Sequence, residues 1–253
     1  MELSSGKPAL PALLVVIAAL SCLPACRQRH PTGAGRAAVK VPRLVRPPRI
    51  DGRLDDPAWK GAARMGPFRR SDGRAEARQQ TRVLMGWDRG FLYLACDCTD
   101  HDIRGHYQNR DDPLYLEEVF EAFLDTDADG RDYLELEVSP NGQTFDAWFS
   151  GRRSGRRLDW NPPLQLAVQV TGTLNDSSDS DTGWTVELAL PLDSLPGRVR
   201  RPAAGVRWRA NFFRIDKSGR GGEASSWQAT PSGDFHDPAA RAVIEFTDQG
   251  ERP

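Results

Sequence analysis

Glu121 is the residue in this sequence whose surroundings most clearly call for a chemical partner. In the segment Val119–Leu124, the residues on both alternating faces are apolar apart from this carboxylate. The pattern predicts a central strand, and an unpaired carboxylate buried there would be costly. We therefore expect Glu121 to meet a base, a metal ion or a ligand hydroxyl. A structural salt bridge with one of the many arginines is the alternative.

Polar and aromatic side chains share a predicted open sheet face. The strand alternation assigns to that face Tyr133, Glu135, Glu137, Asp146 and Trp148, joined by Arg207, Arg209, Asn211 and Phe213 if the strand 206–215 faces the same way. Aromatic rings suit the C–H faces of sugars, whereas carboxylates and amides suit their hydroxyl edges. This is the chemistry of a glycan site with an aromatic platform, or else of a solvated face whose exposed ion pairs contribute little to stability.

Short strands with a period of two must position these residues. The alternation predicts strands at 91–98, 119–124, 132–139, 143–150, 164–170, 184–190, 206–215 and 242–246, with turn sequences between them. Helix is limited to two short candidates, Asp55–Ala63, capped by Asp55 or Asp56, and Pro191–Leu195. The sequence therefore predicts an all-β fold, an antiparallel β-sandwich with one or two very short helices.

Composition and cysteine use exclude several classes of protein. The chain has 253 residues, of which 39% are hydrophobic and 27% charged, so it has enough apolar material for a core. Its formal charge of −1 argues against a nucleic-acid partner. Cys96 and Cys98 lie two apart on a predicted strand, a poor geometry for a mutual disulfide, and we expect core thiols.

The N-terminus has the features of an export signal. Lys7 precedes an apolar run over residues 9–20, which is too short for a comfortable membrane span and leads to Leu-Pro-Ala-Cys ending at Cys26. This ending resembles a bacterial lipobox. We therefore expect a lipoprotein signal peptide over 1–25, lipidation of Cys26, and a lipid-anchored place in the cell envelope, facing the periplasm or the cell surface. An ordinary secretory signal cut near Ala25 is the alternative.

The segment after the signal is basic and rich in Pro and Gly. Residues 27–49 carry seven basic and no acidic residues. We therefore expect a flexible basic tether over 26–47, able to lie against anionic headgroups, ahead of a folded domain over 48–253.

An acidic turn, Asp125–Gly130, looks like the start of an EF-hand loop. The twelfth position, which should carry a bidentate acid, is Leu136. The EF-hand motif therefore fails, and we expect a hairpin turn at this place.

Several segments, taken in order, resemble the family 9 carbohydrate-binding modules. Ile50–Trp59 is similar to the family's opening IDG-x-x-D-x-x-x-W, Val83–Leu94 to its W-D-x-x-x-L-Y hairpin, and Glu118–Asp125 to its D-x-V-E-x-F-x-D strand. Gly183–Pro191 is similar to its G-W-x-V-E-x-A-I-P strand, and 208–214 and 226–238 to its C-terminal pieces. Each motif is weak alone, but the ordered set covers roughly residues 48–247.

The resemblance implies a jelly-roll-like β-sandwich that binds an oligo- or polysaccharide without cutting it. Aligned by motif, Tyr115 and Phe235 fall at two aromatic clamp positions, where tryptophans are usual. Glu121 falls at the glutamate that accepts hydrogen bonds from the sugar, and Asn211 at an amide position lining the site. Glu137 stands where the family carries a sugar-binding arginine.

The resemblance implies no required cofactor, but it does imply structural calcium in some members. The candidate oxygen donors near the loops are Asp100, Asp102, Asp111 and Asp112.

Three functions compete for this sequence. The first is a non-catalytic carbohydrate-binding module, displayed by its lipid anchor and serving polysaccharide degradation. The second is a glycoside hydrolase using paired carboxylates such as Glu121 and Glu137, although the chain leaves no room for a catalytic domain beyond the sandwich. The third is a haem-binding electron-transfer protein, because related sandwiches hold haem; its candidate ligands are Met65, Met85, His101 and His106.

Overall fold

The computed structural model describes residues 38–218 and 221–248, whose strands form two β-sheets packed face to face. The predicted signal peptide, Cys26 and the first part of the predicted tether lie outside these residues and stay predictions. Within the described ranges, no helix is both long and apolar enough to cross a bilayer.

The strands follow one another along the chain with short connections. They are β1 (Val39–Pro42), β2 (Ala63–Met65), β3 (Arg69–Arg70), β4 (Thr81–Trp87), β5 (Phe91–Thr99), β6 (Val119–Asp125), β7 (Tyr133–Val138), β8 (Thr144–Phe149), β9 (Gln165–Thr171), β10 (Gly183–Pro191), β11 (Arg207–Asp216), β12 (Glu223–Ser226) and β13 (Ala242–Thr247). The first sheet has the order β1-β13-β11-β6-β7-β8, with β12 beside β11 and β3 beside β12. The second sheet has the order β2-β4-β5-β10-β9.

Every pairing is antiparallel except that of β1 with β13, which is parallel. The predicted all-β antiparallel sandwich is therefore confirmed. The strand β1 lies inside the stretch 26–47 that the sequence predicts as a tether. Val41 of β1 is fully buried, because its strand completes the edge beside β13, so the folded domain includes Val39–Pro42 and does not start at residue 48.

Helix is confined to three short 3₁₀ turns among the described residues, at Pro57–Gly61, Leu114–Leu116 and Pro238–Ala240. The first confirms the candidate at Asp55–Ala63: the Asp56 side chain accepts a hydrogen bond from the Ala58 N–H at 2.8 Å, and proline starts the helix. The candidate at Pro191–Leu195 is wrong. Pro191 still belongs to β10, and the chain turns there, with the Ser194 hydroxyl donating to the Pro191 carbonyl oxygen.

The main core fills the space between the two sheets. Phe120, Ala122 and Leu124 of β6 face it from the first sheet, and the thiols of Cys96 and Cys98 face it from the second. Both cysteines are free and buried, as expected. A second apolar cluster, which includes Phe123 and Phe213, covers the other face of the first sheet. The central strand β6 is therefore largely apolar on both faces, as the pattern of Val119–Leu124 predicts.

Glu187 on β10 holds the segment Ile50–Trp59 in place by hydrogen bonds. Its carboxylate accepts hydrogen bonds from the backbone N–H groups of Asp51 and Gly52, both at 2.8 Å, and from the Trp59 indole N–H at 2.6 Å. Gly52 has a φ of +84°, and a Cβ there would lie 3.2 Å from the backbone of β9. The motif therefore satisfies a buried carboxylate and docks the entry loop on the second sheet.

Candidate functional site

A cleft of about 430 Å³ opens on the face of the first sheet that is turned away from the second sheet. Strands β6, β7, β8 and β11 build its floor, and segments after β8 and before β13 build its rim. Its carbon-rich lining comes from Tyr115, Phe145, Phe149, Ile215 and Phe235. Its polar lining comes from Glu121, Glu135, Arg153, Arg156 and His236.

Three glutamates, here called the glutamate trio (Glu121, Glu135 and Glu137), converge beside this cleft. Glu121 on β6 lies directly opposite Glu137 on β7, and Glu135 lies two residues before Glu137 on the same face. One carboxylate oxygen of each lies within 4.8 Å of those of the other two. The residues are 2%, 5% and 1% exposed in chain order, so all three acids are buried together.

The trio has few hydrogen-bond donors from the described chain: the carboxyl groups of Glu135 and Glu137 approach each other, and the Tyr115 backbone N–H approaches Glu137. Neither oxygen of Glu137 has a hydrogen-bond partner of normal geometry, and neither does Oε1 of Glu121. Glu121 forms no ion pair with any described arginine, so the salt-bridge alternative for this residue is wrong. A buried polar atom without a partner in a folded protein needs an explanation such as a ligand or an ion.

Burial and mutual repulsion raise the pKa values of the trio. Burial is the largest cause for Glu121, with the charge of Glu135 second. For Glu137, burial is followed by the charges of Glu121 and Glu135, and the pKa is again well above its ordinary value. Burial raises the pKa of Glu135 to about 7, while a hydrogen bond with Glu137 and then the charges of Arg153 and Arg156 act to lower it. The trio therefore holds protons that a bound cation or donor can displace near neutral pH.

Two aromatic rings reach the same cleft from different segments. Phe235, in the loop before β13, stacks on Phe213 with ring centroids 4.1 Å apart and planes 10° from parallel. Tyr115, in the 3₁₀ turn before β6, contacts the Phe145 ring edge-on at 6.1 Å and is 41% exposed. The structure therefore brings together Tyr115, Phe235 and Glu121, three of the residues predicted from the family resemblance.

The basic rim is held in place by its own hydrogen bonds. Asp234 pairs with Arg152 at 2.7 Å and with Arg153 at 2.8 Å, and these hydrogen bonds hold the pKa of Asp234 at about 2 despite its partial burial. Nδ1 of His236 and the Tyr133 hydroxyl are 2.6 Å apart. Burial lowers the pKa of His236 to about 4, with Arg153 second. The imidazole is therefore neutral at pH 7.

The side-chain amide of Asn211, which the resemblance predicts in the site, instead forms hydrogen bonds with the protein backbone. Its Nδ2 donates to the Gln228 carbonyl at 3.0 Å, and its Oδ1 accepts from the N–H groups of Gln228 and Phe212, both at 2.9 Å. The residue is fully buried and does not line the cleft. Its prediction as a sugar ligand is therefore corrected: it anchors the segment after β12 to β11.

Trp148 and Asp146 lie on the opposite face of the sheet from the cleft. The register pairs Glu137 with Phe145 and Tyr133 with Phe149, so the alternate residues of β8 point toward the core. Trp148 packs against the main core, and the buried Asp146 pairs with Arg110. Trp148 is thus not an aromatic platform for the cleft, because it lies opposite Leu134, whose side chain faces the core. Directly opposed residues share a face, and the sequence alone does not show which residues of two strands are opposed.

Seven residues line the cleft that the sequence does not predict there: Phe145, Phe149, Arg153, Arg156, Ile215, Gly233 and His236. The alternation of Phe145, Ala147 and Phe149 was visible, but apolar residues on a strand are normally assigned to the core. The arginines lie in an irregular loop and the histidine near the chain end, so no periodic signal marks them.

The four aspartates expected to hold calcium do not fit one site. Asp100 accepts a hydrogen bond from the Arg214 guanidinium at 2.6 Å, and Asp112 accepts from Asn109 at 2.9 Å and from Gln108 at 3.2 Å. Among the described clusters of three acids, Asp100 is the only one of the four aspartates that takes part. Its cluster already contains an arginine, which supplies the positive charge.

The acidic turn between β6 and β7 fits a cation better. Asp125, Asp127 and Asp129 converge with oxygens within 4.8 Å of one another. Backbone hydrogen bonds, such as Gly130 N–H to Asp125 at 2.9 Å, make it the expected hairpin turn. Oδ1 of the fully buried Asp125 has no hydrogen-bond partner in the described chain. These are hard oxygen donors of the kind that calcium prefers.

The candidate haem ligands do not face a common pocket. Met85 is buried between the two sheets, and Met65 belongs to the same core. His101 and His106 are exposed in the segment between β5 and β6. The arrangement gives no support to the haem alternative.

Comparison with known proteins gives a family match and fold neighbours. The family model described as carbohydrate family 9 binding domain-like matches residues 50–247. An extracellular protein of Arthroderma benhamiae is 36% identical over 115 residues, a match that covers 42% of this chain and 49% of that protein. This chain therefore spans about half the length of that curated relative.

Solved structures show the same fold at low identity. A family 9 carbohydrate-binding module of Caldicellulosiruptor kristjanssonii in complex with cellotriose has a TM-score of 0.58 and 16% identity, covering 85% of this chain and 96% of that one. Its complex with glucose has the same TM-score and identity. A protein of Bacteroides uniformis described as carbohydrate-binding has a TM-score of 0.68 and 12% identity, covering 83% and 98%.

These neighbours share the two-sheet architecture on which the cleft is built. Since the family model spans most of the folded part of the chain, the chain belongs to the carbohydrate family 9 binding domain-like family.

Proposed function

We propose that this chain is a non-catalytic carbohydrate-binding module whose ligand, an oligo- or polysaccharide, occupies the cleft of the first sheet. One observation carries the proposal: the cleft combines aromatic walls with buried carboxylate oxygens that lack donors from the described chain. A saccharide supplies both missing partners, because its C–H faces pack on rings and its hydroxyl groups donate to carboxylates.

The rings suit this role because their neighbours hold them before a ligand arrives. Phe235 is stacked on Phe213, and Tyr115 rests edge-on against Phe145. A ring fixed in this way loses little conformational entropy on binding. In this proposal Tyr115 and Phe235 provide the stacking surfaces, Glu121 accepts from the sugar, and Glu137 lies behind Glu121.

The relatives support the class of ligand. Two of the similar structures are complexes with cellotriose and with glucose. Their identity to this chain is low, so the sugar bound here is a separate question.

The experiment is a glycan array with the purified full-length chain, followed by calorimetric titration of the best ligand. Tyr115→Ala should weaken binding by about tenfold, the worth of one lost ring contact. Phe235→Leu, which keeps apolar volume over Phe213, should weaken it by a similar factor.

Phe91→Ala provides the matched control, because Phe91 is a half-buried ring on the second sheet that stacks on Tyr93. It should leave the affinity unchanged. Normal binding by both cleft variants, with folding verified by melting temperature, would contradict the proposed site.

We further propose that the module is lipid-anchored through Cys26 in the bacterial cell envelope, facing the periplasm or the cell surface, and serves polysaccharide degradation. The lipobox-like ending at Cys26 and the basic segment after it support this proposal. Cys26→Ser should remove the acyl mass and release the chain from the membrane fraction. A chain that stays in the membrane fraction without acyl mass would contradict it.

Glycoside hydrolysis is the second candidate because of one observation, the closeness of the carboxylates in the glutamate trio. Retaining glycosidases place two carboxyl groups about 5 Å apart, and one oxygen each of Glu121 and Glu137 lies within 4.8 Å of the other. A reducing-sugar assay on the best ligand would detect hydrolysis. Release of reducing sugar by the wild type, and loss of that release in Glu121→Gln, would favour an enzyme over a binding module.

A further inference from the structure

The glutamate trio differs from every other buried acid in the described chain. Eight other carboxylates are buried, and each accepts at least one hydrogen bond from an N–H group of the protein: Asp100, Glu118, Asp125, Asp146, Asp181, Glu187, Asp216 and Glu223. No hydrogen bond of normal geometry from the described chain reaches Glu121 or Glu137. Each of these eight acids therefore has at least one internal N–H donor, although Asp125 and Asp146 each keep one oxygen without a partner, whereas no such donor reaches Glu121 or Glu137 with normal geometry.

We propose that the cleft selects a saccharide carrying a protonated amine, with the ammonium group seated against Glu121, Glu135 and Glu137 and the sugar ring against the aromatic walls. This inference rests on the proposed function and names the substrate class of the same site. The ligand is an amino sugar with a free amine, rather than a neutral or N-acetylated one.

The geometry matches three donors to three acceptors. A primary ammonium group has three N–H donors and no acceptor. The trio offers one oxygen from each of three carboxylates within 4.8 Å of one another, and two of the three residues, Glu121 and Glu135, line the cleft directly. Hydrogen bonds between ionised partners are roughly twice as strong as neutral ones, and the added positive charge removes the repulsion within the trio.

A neutral sugar and a metal ion fit these surroundings less well. Hydroxyl groups bring no charge, so the acids would have to stay protonated or repel one another. Calcium takes six to eight oxygen ligands, including waters, whereas the walls beside the trio are carbon-rich, from Tyr115, Phe145, Phe149, Ile215 and Phe235. An amino sugar presents one cationic group and one apolar face, which match the two acids and the rings that line the cleft. Arg153 and Arg156 also line the cleft and weaken its attraction for a cation.

The charged groups around the trio set the expected pH dependence. The neighbouring segments supply Arg153, Arg156, Asp234, His236 and Arg241, and β7 supplies Tyr133. The pKa of His236 is about 4, that of Asp234 about 2 and that of Tyr133 about 12, so these groups keep one charge state between about pH 5.5 and 7. The raised pKa values of the trio mean that binding an ammonium group must release protons.

The test compares three trisaccharides that share the β-1,4 linkage and differ at C2: glucosamine trimer, N-acetylglucosamine trimer and cellotriose. Calorimetric titration with the full-length chain should show the glucosamine trimer binding more tightly than the other two by about tenfold or more, the worth of one charged hydrogen bond. Its binding should release protons, measured as a heat that changes with the ionisation enthalpy of the buffer, and cellotriose binding should not.

Glu137→Gln should reduce the preference for the glucosamine trimer over cellotriose to about one. Glu121→Gln should lower this preference as well and, because Glu121 accepts from the sugar, should also weaken cellotriose binding. Glu245→Gln is the control, because it removes the same charge from β13, where the residue pairs with Lys40 and Arg207 away from the cleft.

Three outcomes would overturn the inference. Equal or tighter binding of cellotriose removes the amine preference and leaves the proposed function standing. Displacement of the glucosamine trimer by calcium would show that a metal holds the trio. Absence of binding by any saccharide on the array would remove the proposed function as well.

Discussion

Two clusters of three buried acids in this protein differ in the hydrogen-bond donors that the protein supplies to them. One is the glutamate trio beside the cleft. The other, here called the arginine-centred cluster (Asp100, Glu118, Arg214 and Asp216), also brings three carboxylate oxygens within 4.8 Å of one another. Its Arg214 is fully buried, donates to Asp100 at 2.6 Å, and lies 5.0 Å from the centre of the Trp184 ring.

The difference lies in the donors. In the arginine-centred cluster, Glu118 accepts from the backbone N–H groups of Arg104 and Lys217, and Asp216 accepts from that of Ser218. In the glutamate trio, Glu121 and Glu137 have no such donor of normal geometry. A buried charge with an internal partner stabilises the fold, and one without a partner is a cost that a ligand can offset. Local bonding therefore separates structural acids from binding acids.

The largest effect is expected from breaking the arginine-centred cluster. Arg214→Met should lower the free energy of unfolding by about 3 to 5 kcal/mol, because it leaves Asp100 and Asp216 buried without their cation. Urea denaturation measures the change. Glu137→Gln, in the trio, should leave the unfolding free energy unchanged or raise it. Similar losses in both variants would contradict the distinction between the clusters.

The second effect is the pH dependence that the trio gives to folding. Glu135 has a pKa of about 7 in the fold, raised chiefly by burial from the ordinary value of 4.5. The native state therefore binds more protons between those pH values. The contribution of Glu135 is fully present below pH 4.5 and is lost as the pH rises through 7, a loss on the order of 3 kcal/mol.

Glu135→Gln should flatten this slope of the unfolding free energy against pH. Burial raises the pKa of Glu118 from 4.5 to about 9, so this residue contributes a slope of the same sign from about pH 4.5 to 9. Glu118, Glu121 and Glu137 remain in the variant, so the slope between pH 4.5 and 7 should become shallower without disappearing. An unchanged slope between pH 4.5 and 7 would mean that Glu135 is not desolvated.

The third effect concerns Asn211, which lies on the same sheet face as the trio but has its side-chain hydrogen bonds made within the protein. Asn211→Ala removes the side chain that binds the Gln228 backbone on both its N–H and its carbonyl. The free energy of unfolding should fall by about 2 kcal/mol, and saccharide affinity should change by less than about threefold. A large loss of saccharide affinity with no change in the free energy of unfolding would show that Asn211 contacts the ligand.

The smallest effect is expected at the acidic turn. Calcium at about ten times its dissociation constant should raise the free energy of unfolding by about 1 kcal/mol, and Asp125→Asn should abolish the rise. Thermal melts in calcium and in chelator provide the measurement. A calcium effect that survives Asp125→Asn would place the ion elsewhere.

The sequence predicts the fold better than the site because its signals are periodic. The alternation of β5, β6, β7 and β10 gave the sandwich, and Asp56-Pro57 gave the first 3₁₀ helix. The site depends on register and on loops. The alternation predicts the wrong face for Trp148, because the face depends on the register between β7 and β8, in which Tyr133 pairs with Phe149. That register cannot be read from either strand alone. Asn211 was misassigned because the Gln228 backbone reaches it only after folding.

The most direct test of the central claim, that saccharide occupies the cleft between Tyr115 and Phe235 above the trio, is a crystal structure of the chain with glucosamine trimer. We predict one sugar ring packed on the Phe235 and Tyr115 side chains, with its amine nitrogen about 3 Å from oxygens of Glu121 and of a second trio member. A trimer bound elsewhere on the protein, while the cleft holds only solvent, would contradict the account.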